Sequence, residues 1–168
     1  AMDSALYKFN EEFGLREEPP FPGSTDLYKH LKAVTPDSLQ YYLDDTWNKI
    51  TLYDNRAETV EAKKGGDEEY EITLKIRSQK LYADETGKES DANYEADYID
   101  IGVFAADDQD ENGRDRVNPL YLEKHRIKPG ESTITIRVKG EPEKAGIDPY
   151  NKLIDRIPDD NTQDIDIG

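Results

Sequence analysis

The apolar positions along the chain change period near residue 50. Ahead of that point they recur at helical spacing. Leu27, Leu31 and Val34 stand at i, i+4 and i+7 behind Ser24 and Thr25, either of which can cap a short helix. Thr35-Pro36-Asp37 then supplies a cap followed by proline at the first helical position. Leu39, Tyr42, Leu43, Trp47 and Ile50 form one apolar stripe on the second helix that this predicts. A helix pair of this kind needs a surface to cover. Residues 1–23 mix aromatics with charges and end in Pro19-Pro20-Phe21-Pro22-Gly23. Proline there lacks the N–H that a helix requires, so the stretch reads as an extended linker.

Beyond residue 50 the period becomes two. Tyr70, Ile72, Leu74 and Ile76 alternate with Glu71, Thr73, Lys75 and Arg77, which predicts a strand with one buried and one wet face. Ile99, Ile101 and Val103 repeat the pattern, as do Leu120 with Leu122, and Ile134 with Ile136 and Val138. Gly65-Gly66 and Pro129-Gly130 read as turns joining adjacent antiparallel strands. About six strands with no interleaved helix predict a mainly β chain: an antiparallel, immunoglobulin-like β-sandwich preceded by a short amphipathic helical segment. The expected organisation is a linker over 1–23, a helical segment over 24–50, the sandwich over 51–140 and an irregular tail over 141–168. Ile147, Tyr150, Leu153 and Ile154 are expected to pack that tail onto the sandwich.

Charge then narrows the classes of partner. Twenty-two Lys and Arg against 38 Asp and Glu give a net charge of −16 over 168 residues, which leaves no basic footprint for nucleic acid or anionic lipid. The absence of Cys removes disulfides, zinc thiolates and thiol nucleophiles, and leaves the redox compartment open. No run approaches the roughly 18 apolar residues of a membrane span, so no direct membrane insertion of this segment is expected. Ala1-Met2 reads as a cut start, with any signal or span lying ahead of it.

Candidate chemistry is sparse. A zinc hydrolase needs about three protein ligands and a Glu beside the metal-bound water. His30 and His125 are the only histidines, and both read as surface or half-buried side chains. Ser24, Ser38, Ser78, Ser90 and Ser132 occupy no G-x-S-x-G elbow. The sharpest feature is the acidic run Asp107-Asp108-Gln109-Asp110-Glu111-Asn112-Gly113. Asp108, Asp110 and Asn112 take positions 1, 3 and 5 of a Ca²⁺ loop with Gly113 at position 6, so these three are the candidate metal ligands. Position 12 is Pro119 instead of a bidentate Glu, and a solvated acidic loop is the simpler reading. Asp159, Asp160, Asp164 and Asp166 read as a frayed, solvated terminus. Trp47 reads as packing on the sandwich, while Tyr41, off the apolar stripe, is the aromatic to test for an outside contact.

Several runs occur in an order that carries a resemblance. They are Thr35-Pro36-Asp37-Ser38-Leu39-Gln40-Tyr41, Ile50-Thr51-Leu52-Tyr53-Asp54-Asn55-Arg56, Asp97-Tyr98-Ile99-Asp100-Ile101-Gly102-Val103-Phe104 and Pro119-Leu120-Tyr121-Leu122-Glu123-Lys124-His125. Ala145-Gly146-Ile147-Asp148-Pro149-Tyr150 follows, then Leu153-Ile154-Asp155-Arg156 and Pro158-Asp159-Asp160-Asn161. Together, over roughly residues 10–161, this resembles the far C-terminal region of bacterial M1-family zinc aminopeptidases fused to ABC-transporter-type permeases. The resemblance implies membrane spans first, then a peptidase domain carrying the zinc, then this region on the extracytoplasmic, periplasmic side of the inner membrane. The family's H-E-x-x-H and G-A-M-E-N motifs are absent here, so no catalytic residue carries over and no cofactor is expected in this segment. The expected partner is the upstream peptidase domain of the same chain, and the expected role is that of a non-catalytic accessory domain that positions or shapes that domain. The alternative is a ligand- or Ca²⁺-binding interaction module using loops 83–96 and 106–118 at one end of the sandwich. A free-standing hydrolase comes third.

Overall fold

The computed structural model describes residues 2–109 and 115–166. Its chain divides into two units, Ala1–Ile50 and Thr51–Gly168.

The first unit is helical: α1 (Met2–Phe13), α2 (Ser24–Val34) and α3 (Gln40–Trp47), with a single 3₁₀ turn at Asp37–Leu39. Most of the stretch read as a linker is therefore helix. Ala5, Phe9 and Phe13 recur every four residues and form a stripe that packs α1 on α2. Ala5 is fully buried, the Phe9 and Phe13 rings lie 5.2 Å apart, and both meet the His30 ring edge-on at 5.7 and 6.2 Å. The proline cluster begins only after this helix has ended. Gly23, instead of Ser24 or Thr25, caps α2, and Asp26 reaches back to accept the Gly23 N–H at 3.0 Å. Thr35 closes α2 instead of opening the next helix, with its hydroxyl donating to the Leu31 carbonyl at 2.8 Å. Trp47 tilts against Tyr28 of the same unit at 5.8 Å.

The second unit is two sheets over one core. In the first sheet β2 (Glu69–Ala83) is central, with β1 (Ile50–Lys64) on one side. On its other side β8 (Gly130–Lys139) pairs Glu69–Ser78 and β3 (Glu89–Asp91) pairs Leu81–Ala83. The second sheet runs β10 (Thr162–Asp164), β9 (Lys144–Ile147), β4 (Asp97–Phe104), β7 (Pro119–Ile127). A two-residue hairpin of β5 (Asp108–Gln109) and β6 (Asp115–Arg116) stands apart. The β2–β3, β2–β8, β4–β7, β4–β9 and β9–β10 ladders are all antiparallel. The chain is thus mainly β, sandwich-like, with a short helical segment ahead of it.

Alternation explains the core. Tyr70, Ile72, Leu74 and Ile76 of β2 meet Ile99, Ile101 and Val103 of β4, with Ile136, Val138, Ile127, Ala145 and Ile147 filling the rest. Each such large side chain adds on the order of 1.5–3 kcal/mol on burial. Pro129-Gly130 does not join sheet neighbours. β7 pairs β4 and β8 pairs β2, so this corner carries the chain from one sheet to the other.

The tail is more regular than its Gly, Pro and acidic composition suggested. β9 lies between β4 and β10, and a Cβ on Gly146 would stand 2.1 Å from the Asn161 carbonyl oxygen, so only glycine admits this approach. Residues Asp148 and Pro149 cover the outer face of β4. A Cβ on Gly102 would meet Pro149 Cγ at 2.9 Å, and β4 is buried on both faces as a result. Tyr150 and Ile154 stay 42% and 68% exposed against expectation. Ile154 joins the sandwich through its backbone instead, its carbonyl accepting the Tyr53 N–H at 2.9 Å. Pro158–Asp160 forms a 3₁₀ turn in place of a frayed end, with Asp160 on the Arg56 guanidinium at 2.8 Å.

Candidate functional site

The inward rows of three strands turn polar at the same end of the core. In β2 the buried parity runs Tyr70, Ile72, Leu74, Ile76, then Ser78 and Lys80; in β4 it runs Val103, Ile101, Ile99, then Asp97; in β1 Ala57 is followed back by Asn55 and Tyr53. Lys80 has no exposed surface and Asp97 only 4%. The Lys80 ammonium lies 2.9 and 3.2 Å from the two Asp97 oxygens and 4.5 Å from the centre of the Tyr94 ring, which offers it a cation–π face. Tyr53 donates its hydroxyl proton to Asp97 Oδ2 at 3.1 Å, and the Ser78 hydroxyl donates to Asn55 Oδ1 at 2.7 Å. The Asn55 N–H reaches the Asp155 carboxylate at 2.7 Å, tying the layer to the tail. Burial pushes the Tyr94 hydroxyl above the ordinary tyrosine range.

Such a pair is costly to desolvate, and here the ammonium–carboxylate contact links β2 of one sheet to β4 of the other. Composition hid this layer, since lysine counts as a surface residue. The signal was the parity of β2, which continues inward past Ile76 to Ser78 and Lys80.

A second cluster holds the covering loop. Asp100 accepts from Lys152 at 2.7 Å and pairs with Lys124 at 3.0 Å. Burial works to raise the Asp100 carboxyl, but the two lysines together outweigh it and hold it below the usual carboxylate range. Asp148 sits at a left-handed φ of 43° and takes the N–H groups of Lys152 and Leu153 at 3.1 and 2.9 Å. For Asp148 burial prevails over those bonds and raises the carboxyl.

The residues singled out in the sequence do not converge. Asp108 lies on the short strand β5, while Asp110 and Asn112 lie outside the described residues. His30 belongs to the helical unit, with Glu12 at 3.0 Å, and His125 to the sandwich, where the Tyr121 hydroxyl stands 2.7 Å from its Nε2. Among the described residues no three His, Asp or Glu side chains form a metal-holding group, and no helix is long and apolar enough to cross a membrane. Loops 83–96 and 106–118 do not share an end: one precedes β4 and the other follows it. Beside the second loop a cleft of about 480 Å³ is lined by Phe104, Val117, Pro149, Tyr150, Lys144 and Asp164 among others.

Compared with protein-family models, curated proteins and solved structures, the chain matches none of them. The geometry itself defines a class of arrangement. Lys80 and Asp97 are buried in the core and engaged with each other, so they brace the two sheets.

Proposed function

We propose that this chain is a non-catalytic accessory module, the C-terminal part of a membrane-anchored M1-type zinc aminopeptidase, which positions or shapes the peptidase domain ahead of it on the extracytoplasmic side. The observation that carries this reading is the contrast between the two units. The sandwich closes its own core and spends its buried charges on internal bracing. The helical unit leaves Leu39, Tyr42 and Trp47 at 39, 55 and 37% exposure, and its described residues bury only Ala5 among their hydrophobics. About fifty residues with so little buried apolar surface call for a further surface to rest on. The resemblance supplies that surface as the peptidase domain, and the zinc as that domain's own. No specific observation favours the Ca²⁺-binding alternative, whose two loops stand at opposite ends of β4.

Elemental analysis and an aminoacyl chromogenic assay on the purified chain test the non-catalytic reading. The expectation is no tightly held zinc and no turnover above buffer. Stoichiometric zinc, or turnover that survives purification to homogeneity, would overturn it.

A further inference from the structure

The outer edge of β8 carries an unused hydrogen-bonding row whose sequence is complementary to itself. The Gly140 N–H donates to the Glu68 carbonyl at 3.0 Å, and the register continues through Val138 on Tyr70, Ile136 on Ile72 and Gly130 on Ser78. In an antiparallel ladder, residues alternate between those that exchange both backbone bonds with the partner and those that turn both groups away. Even-numbered residues of β8 therefore bond to β2. The N–H and C=O groups of Glu131, Thr133, Thr135, Arg137 and Lys139 point to the other side, where β8 has no ladder among the described residues. All five are exposed.

We infer that this edge pairs two copies of the chain, antiparallel about a two-fold axis through Thr135. In that register all five residues face one another: Glu131 opposite Lys139, Thr133 opposite Arg137, and Thr135 opposite itself. Opposite charges and paired threonines at facing positions favour the pairing, and the arrangement is closed and isologous. Moving the axis to Ile134 keeps the bonding parity and sets Glu131 opposite Arg137, but leaves four facing residues on each strand and Lys139 without a facing partner, while moving it to Ile136 sets Lys139 opposite Thr133. The contact is also locally free of the chain's general acidity. Its charges are Glu131, Arg137 and Lys139, and the Lys75–Glu131 and Arg137–Glu71 ion pairs flank it on the same sheet face. An extended segment of another protein would use the same backbone groups without that charge match.

Sedimentation equilibrium of the full chain at physiological salt tests the inference. A concentration-dependent dimer is expected. Glu131→Lys alone, or Lys139→Glu alone, sets like charges opposite and should weaken it by about tenfold or more. An equimolar mixture of the two variants should recover the affinity as a heterodimer. Thr135→Pro removes an outward N–H and no bond to β2, so it should abolish the dimer while the far-ultraviolet circular dichroism is unchanged. A chain that stays monomeric to millimolar concentration would overturn the inference, as would a dimer indifferent to both reversals or a mixture no tighter than its parts.

Discussion

Replacing Lys80 by methionine tests the buried polar layer at its centre. The substitution keeps most of the side-chain volume and removes the cation, leaving the Asp97 carboxylate 4% exposed with Tyr53 as its remaining donor among the groups described. At a separation of 2.9 Å and an effective dielectric constant of about 20, the attraction lost is about 6 kcal/mol before desolvation is subtracted. Stranding one member of such a pair costs about 3–5 kcal/mol net. For a domain of ordinary stability, about 5–15 kcal/mol, that is about a fifth of the total or more, and the melting temperature should fall by about 10 °C or more. Replacing the whole group, Lys80→Met with Asp97→Leu and Tyr53→Phe, removes both charges and the hydroxyl that donates to Asp97, and should return stability to within about 2 kcal/mol of the starting protein. Urea unfolding followed by far-ultraviolet circular dichroism is the suitable assay, because the only tryptophan, Trp47, lies in the other unit. If Lys80→Met costs less than about 1 kcal/mol, or the triple variant is no more stable than the single one, the layer is not a coupled charge pair in a dry core.

Ile147→Ala should cost about 2–5 kcal/mol in the same assay, because this fully buried side chain belongs to β9 in the second sheet and not to a loose tail. Asp100 and Asp148 should give opposite pH dependences. The carboxyl of Asp100 is held low in the fold, so its contribution is present above about pH 4 and lost as pH falls below it; that of Asp148 is held high, so its contribution is present in acid and lost as pH rises from about 4. Asp100→Asn should therefore flatten the acid limb of stability, and Asp148→Asn should remove the decline above it; a pH series of urea midpoints reads both. Calcium should bind the 108–113 loop no more tightly than the millimolar range of incomplete sites, and calorimetry giving a micromolar constant that Asp110→Ala abolishes would instead favour a binding module.

The strands were legible because a half-buried sheet writes its geometry into every second residue. Tyr70 to Ile76, Ile99 to Val103 and Ile134 to Val138 all face the core as their alternation required. What escaped had no such signature. Sheet membership depends on which edge a strand meets, and a corner such as Pro129-Gly130 looks the same whether it joins neighbours or crosses between sheets. β9 and β10 are too short to show a period, and their pairing is marked only by Gly146, where the Asn161 backbone approaches. α1 was hidden by the prolines that follow it, although Ala5, Phe9 and Phe13 carried its stripe. Lys80 and Asp97 are of residue types common at the surface, yet their position in the alternation places them inside.

The proposed accessory role requires the helical unit to find its surface on a peptidase domain, and Trp47 provides a single reporter for such a contact. The chain can be labelled with fluorotryptophan and its one fluorine resonance followed while the M1-type peptidase domain proposed as its partner is added. The account predicts a saturable shift of that resonance, lost when Leu39 and Tyr42 are both replaced by Asp. A resonance unmoved at concentrations where the two parts would be fully mixed in one polypeptide would contradict it.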